Sequence, residues 1–120
     1  MFEISVEYTF AAGHALRNYK GKCENVHGHN YKVRVTLAGE KLNGNGLLMD
    51  FVELRAELKR LVEKLDHHFL NDVDGLGPAT LENLSAWIWC RLAPKFPNLW
   101  RVTVKRDSDT GACSFYGTAT

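Results

Sequence analysis

Phe2-Glu3-Ile4-Ser5-Val6-Glu7-Tyr8-Thr9-Phe10 alternates apolar and polar residues without a break. Successive side chains of a strand point to opposite faces, so this period of two reads as a half-buried strand over about residues 2–12. The same period returns at Tyr31, Val33, Val35 and Leu37 against Lys32, Arg34 and Thr36, giving a second strand over about 29–38. Run on through Ala12, the first alternation puts His14 on its apolar face. Run backwards, the second puts His27 and His29 on its own apolar face. Sequential strands usually pair, and pairing would gather three imidazoles on one side at one end of a sheet. A bulge at Ala11-Ala12-Gly13 is the feature that would shift that phase.

Three imidazoles plus an open position make the ligand set of a catalytic zinc, so His14, His27 and His29 are the expected metal ligands. Gly28 leaves bare backbone between two of them, which lets something approach closely. Cys23 lies four residues before His27 and next to Lys22. Nearby positive charge lowers a thiol's pKa and makes the thiolate available as base or nucleophile. A closed Cys-His-His-His structural site suits the same spacing, and spacing alone leaves both readings open.

The 120 residues suit one domain, and 45% hydrophobic content supplies a core. With 15 basic and 14 acidic residues the formal charge is +1, without the basic excess of a nucleic-acid binder. No stretch has the length of a membrane helix, and the N-terminus starts on a strand pattern rather than a signal peptide. Three widely spaced cysteines do not make a disulfide framework. These features predict a reduced, cytoplasmic setting, with neither nucleic acid nor membrane as a partner.

Residues 15–26 read as a long polar loop carrying Arg17, Lys20 and Lys22; such a loop between pairing strands is more often functional than idle. Asn43-Gly44-Asn45-Gly46 is turn chemistry. Asp50 with Glu53 predicts a capping box. Phe51, Leu54, Leu58, Leu61, Val62 and Leu65 then follow an amphipathic helix that would end near Asp66-His67-His68. Asn71 to Pro78 reads as a loop. Thr80 is placed to cap a second helix, about 81–93, with Cys90 as a small buried filler; Pro94 and Pro97 stop it. Trp100, Val102 and Val104 alternate with Arg101, Thr103 and Lys105 as a third strand, and a fourth covers about 112–118, with Cys113 read as structural. The order β-β-α-α-β-β predicts an α+β layer: a four-stranded antiparallel sheet with two helices on one face.

Asp66-His67-His68 is a second constellation. A histidine beside a carboxylate acts as general acid or base, its tautomer set by the carboxylate. The competing reading is a histidine at a helix C-terminus, where the dipole favours positive charge.

Taken together, Cys23…His27-Gly28-His29, preceded by Phe10-Ala11-Ala12-Gly13-His14 and followed by Met49-Asp50-Phe51 and Leu65-Asp66-His67-His68, resembles the family of 6-pyruvoyl-tetrahydropterin and 6-carboxy-tetrahydropterin synthases. The resemblance runs from Phe2 to about Tyr116. It implies the tunnelling fold, a single domain over 1–120, whose sheets close a barrel in trimers or dimers of trimers. It implies zinc on His14, His27 and His29, Cys23 as the catalytic thiol, and His67 with Asp66 as the partner in proton transfer. The implied substrate is 7,8-dihydroneopterin triphosphate, and the compact chain looks more like the 6-carboxy branch of queuosine biosynthesis, which releases acetaldehyde and triphosphate. The alternatives are the 6-pyruvoyl branch, which keeps all the side-chain carbons, a zinc hydrolase, or a silent zinc and pterin-binding module. Arg17, Lys20 and Lys22 would meet the triphosphate. The family's ring-anchoring glutamate has no counterpart of the same type in Val104-Lys105-Arg106-Asp107-Ser108. Counting back from Cys113 puts Asp107 there, and counting forward from Pro97 puts Arg106 there. Asp107 is the expected catalytic and substrate-binding residue, because an arginine cannot accept hydrogen bonds from a 2-amino group and N3. A one-residue bulge would swing Asp107 to the required side.

Overall fold

The computed structural model describes residues 1–15, 27–107 and 110–117, with only the backbone at His27. Four strands, β1 (Phe2–His14), β2 (His27–Gly39), β3 (Leu99–Arg106) and β4 (Ala112–Phe115), form one antiparallel sheet in the order β1-β2-β3-β4. Two helices, α1 (Phe51–Glu63) and α2 (Leu81–Leu92), follow β2 and pack on one face. The expected class and element order hold.

The core is where the alternation put it. Val6, Phe10, Ala12 and His14 of β1 are buried, as are Tyr31, Val33, Val35 and Leu37 of β2. Leu54, Leu58, Leu61 and Val62 of α1 and Leu84, Ile88 and Leu92 of α2 cover them. Each such apolar side chain contributes roughly 1.5–3 kcal/mol on leaving water. Asp50 accepts the Val52 N–H at 2.9 Å and Thr80 the Asn83 N–H at 3.1 Å, so both helix starts are capped at the expected residues. The Asp50 cap takes Val52, two residues on, rather than the Glu53 of a capping box.

Three local readings need correction. The pair Thr36↔Arg101 is followed by Leu37↔Leu99, so Trp100 is an extra, bulged residue. The bulge turns Trp100 out to 45% exposure and gives its expected inward place to Leu99. Cys90 is exposed, because it falls on the face of α2 opposite Leu84, Ile88 and Leu92. Finally, α1 ends at Glu63, short of Asp66-His67-His68, with the Lys64 N–H turned back onto Leu61 and Val62 carbonyls. The two histidines therefore belong to the chain after the helix and do not cap it. Among the described residues no helix is long and apolar enough to cross a membrane.

Candidate active site

The strand ladder runs unbroken through Ala12↔His29, Gly13↔Gly28 and His14↔His27. No bulge interrupts Ala11-Ala12-Gly13, so the phase set by Phe2–Phe10 carries through to His14. Residues diagonal on one face of an antiparallel pair remain within reach of each other. The rings of His14 and His29 accordingly lie 4.9 Å apart, with His14 1% exposed. Tyr31 forms the floor beneath them. It stacks on Phe10 at 5.1 Å and presents its ring edge-on to His29 at 5.9 Å and to His14 at 6.3 Å. Sequence reasoning took Tyr31 only as a core residue; its position two residues beyond His29 was the available signal.

Neutral imidazoles are good zinc donors, and the donor set suits the expected metal. Two imidazoles converge, and the backbone of the third expected ligand, His27, lies directly opposite His14. Among the described residues no group of three His, Cys, Asp or Glu side chains forms a metal site; the side chain of His27 is not among them. Cys23, Arg17, Lys20 and Lys22 lie outside the described residues. Among the described residues a Cβ at Gly28 would meet only the Ala12 carbonyl oxygen, at 3.8 Å, an ordinary contact.

The second constellation joins the first through β1. After α1 the chain turns back, and the Asp66 N–H donates to the Val62 carbonyl at 2.8 Å. Residues 67–69 then run along the outer edge of β1. The His67 N–H donates to the Ala11 carbonyl at 2.6 Å, the Gly13 N–H donates to the His68 carbonyl at 3.1 Å, and Phe69 bridges Gly13 in parallel. Making that turn puts His67 at φ 59°, the only positive φ among described non-glycine residues. The left-handed region costs an L-residue roughly 1–2 kcal/mol, which the docked segment sustains.

Asp66 ties the two pieces together. Its Oδ1 accepts the Ala11 N–H at 2.9 Å and lies 3.0 Å from His67 Nδ1. The Ala11 N–H first, and then His67, hold the Asp66 carboxyl below the usual carboxylate range. His67 is thus oriented by a carboxylate while its side chain stays 81% exposed. His68 instead places Nδ1 2.8 Å from the Asp66 main-chain oxygen. Both histidines line an open cleft of about 690 Å³ with His29, Asn30, Phe69 and the backbone of Ala11–Gly13. The structure therefore brings His14, His29, Asp66 and His67 to one end of the sheet.

The ring-end candidates separate. Tyr31↔Arg106 through Thr36↔Arg101 pair without a slip, so the bulge of β3 lies at Trp100 and none lies next to Asp107. Arg106 therefore shares the face of Tyr31, Val104 and Val102. Asp107 is exposed, and its N–H continues the ladder to the Asn30 carbonyl at 3.0 Å. The expectation that a bulge brings Asp107 to the site face is corrected: that face belongs to Arg106.

A family model described as 6-pyruvoyl tetrahydropterin synthase matches residues 3–118. The chain is 41% identical to a 6-carboxy-5,6,7,8-tetrahydropterin synthase of Synechocystis sp., over 96% of this chain and 94% of that one. It is 34% identical to the human 6-pyruvoyl tetrahydrobiopterin synthase, over 79% of this chain and 77% of that one. Among solved structures, the Caenorhabditis elegans 6-pyruvoyl tetrahydropterin synthase superimposes with a TM-score of 0.88 at 26% identity, covering 98% of this chain and 96% of that one. The paired strands with His14, His27 and His29 at their end, the docked Asp66-His67 and the match along nearly the whole chain agree: this chain belongs to the 6-pyruvoyl tetrahydropterin synthase family.

Proposed function

We propose that this protein is a zinc-dependent 6-carboxy-5,6,7,8-tetrahydropterin synthase. It would convert 7,8-dihydroneopterin triphosphate to 6-carboxytetrahydropterin, acetaldehyde and triphosphate, in queuosine-type biosynthesis. The observation that carries the reading is the ladder that places His14 opposite His27 and its ring 4.9 Å from that of His29, beside a cleft with His67 on its wall. The relatives' names support a pterin synthase, and Synechocystis sp. and Archaeoglobus fulgidus, at 41% and 38% identity over most of the chain, favour the 6-carboxy branch.

His14, His27 and His29 would hold the zinc, which when bound supplies Lewis acidity that lowers the pKa of the substrate's side-chain hydroxyls. The Cys23 thiolate would take a proton from that side chain. His67, kept in one orientation by Asp66, would accept or return a proton at the cleft wall. Arg17, Lys20 and Lys22 would meet the leaving triphosphate. At the ring end, Asp107 has the acceptor chemistry and Arg106 has the face. The trimer or dimer of trimers implied by the resemblance gains support from the sheet itself, whose edge strands are β1, covered by residues 66–71 only at its site end, and β4, and which presents a charged, helix-free face of Glu7, Lys32, Arg34, Arg101 and Lys105. Open strand edges are pairing sites.

Incubation of the zinc-loaded protein with 7,8-dihydroneopterin triphosphate tests the proposal. Acetaldehyde and triphosphate are expected together. Triphosphate alone would assign the 6-pyruvoyl reaction, and neither product would point to a hydrolase or a silent binding module.

A further inference from the structure

The outward-pointing main-chain groups at the site end of β1 are paired by residues 66–71, and the way they are paired changes along the strand. Ala11 is held by the Asp66 carboxylate and the His67 N–H, and Gly13 by the His68 carbonyl. At Ala15 no backbone of the described residues takes that part. Instead Asn71 Oδ1 accepts the Ala15 N–H at 2.9 Å, and Asn71 Nδ2 donates to the Ala15 carbonyl at 2.8 Å. A primary amide carries one acceptor and a donor side by side, as a peptide group does. It therefore stands in for a neighbouring strand where the chain has curled into the 3-10 turn Leu70–Asp72. Ala15 is 5% exposed, and buried main-chain groups need such partners.

We propose that Asn71 is a positioning residue for the three-histidine site. His14↔His27 is the last pair of the β1–β2 ladder among the described residues. Beyond it Ala15 is the last described residue before the stretch that carries Cys23. A terminal ladder pair with a partner on one side only frays. Asn71 closes the other side one residue past His14, so the strand conformation persists through His14 and its imidazole keeps its place against His29. The residue acts through the backbone, without touching substrate, and it rests on the reading of His14 as a metal ligand.

The test is titration of Zn2+ alone into the metal-free protein, with hydrogen exchange of the same samples. Asn71→Ala should weaken zinc affinity at least tenfold, the size typical when a group that orients a metal ligand is removed. The Ala15 amide should exchange faster, while those of Val33 and Val35 keep their protection. Asn71→Asp keeps the acceptor for the Ala15 N–H and loses the donor, so it should keep that amide's protection and still lose affinity; it decides the matter if the alanine variant does not fold. Unchanged affinity in a folded variant, or an Ala15 amide that exchanges as before in Asn71→Ala, overturns the clamp. So does faster exchange at Val33 and Val35, which would make Asn71 a general stability residue. Wild-type protein that binds no Zn2+ would instead overturn the metal reading beneath it.

Discussion

His67 offers a perturbation whose effects on stability and activity should part company. The residue sits at φ 59° because its N–H must reach the Ala11 carbonyl while its imidazole faces the cleft. Replacing it by alanine or by glycine removes the same imidazole and the same contact with Asp66, so those losses cancel between the two variants. What differs is the backbone. Alanine keeps a left-handed strain of roughly 1–2 kcal/mol, which glycine does not feel. Glycine loses roughly 0.5–1 kcal/mol more chain entropy on folding. His67→Gly should therefore be more stable than His67→Ala by about 0.5–1 kcal/mol. For a domain of this size that is a Tm difference of about 2–4 °C, read by thermal unfolding at one protein concentration. Both variants should lose most of their acetaldehyde release, and His68→Ala should lose much less. A glycine variant no more stable than the alanine one would refute the strain argument. Equal losses at His67 and His68 would refute the assignment of the proton-transfer partner.

Cys23→Ala should keep one zinc per chain by metal analysis and abolish turnover; loss of the metal would make Cys23 a ligand. The Asp66 carboxyl is held low in the folded chain, so its contribution to stability is present above the unfolded chain's carboxylate pKa and drains away as pH falls through the lowered folded value. Asp66→Asn should flatten that acid limb of the stability curve, and a limb of unchanged steepness would show that other carboxyls produce it. At the ring end, the register of β3 predicts that Arg106→Ala changes KM and kcat for dihydroneopterin triphosphate more than Asp107→Ala does. The reverse order would mean that acceptor chemistry outweighs the strand face.

Much of this architecture was legible in the residues because it rests on periods. The alternation Phe2–Phe10 and Tyr31–Leu37 determined which faces are buried, and a side-chain period of two cannot shift by one without exposing the whole apolar set. That constraint placed His14 and His29 on the buried face of their sheet, with the backbone of His27 in register, and identified the helices and their caps at Asp50 and Thr80. Tertiary structure decided what no local period encodes. The bulge that exposes Trp100, and the unbroken register beyond it that leaves the site face to Arg106, exist only in the pairing of β3 against β2. The left-handed turn at His67 follows from contact with Ala11 and Gly13, more than fifty residues away in the chain. The Asn71 amide, in what reads as the start of a loop, acquires its meaning only where the strand's last main-chain groups need a partner that the backbone has turned away from.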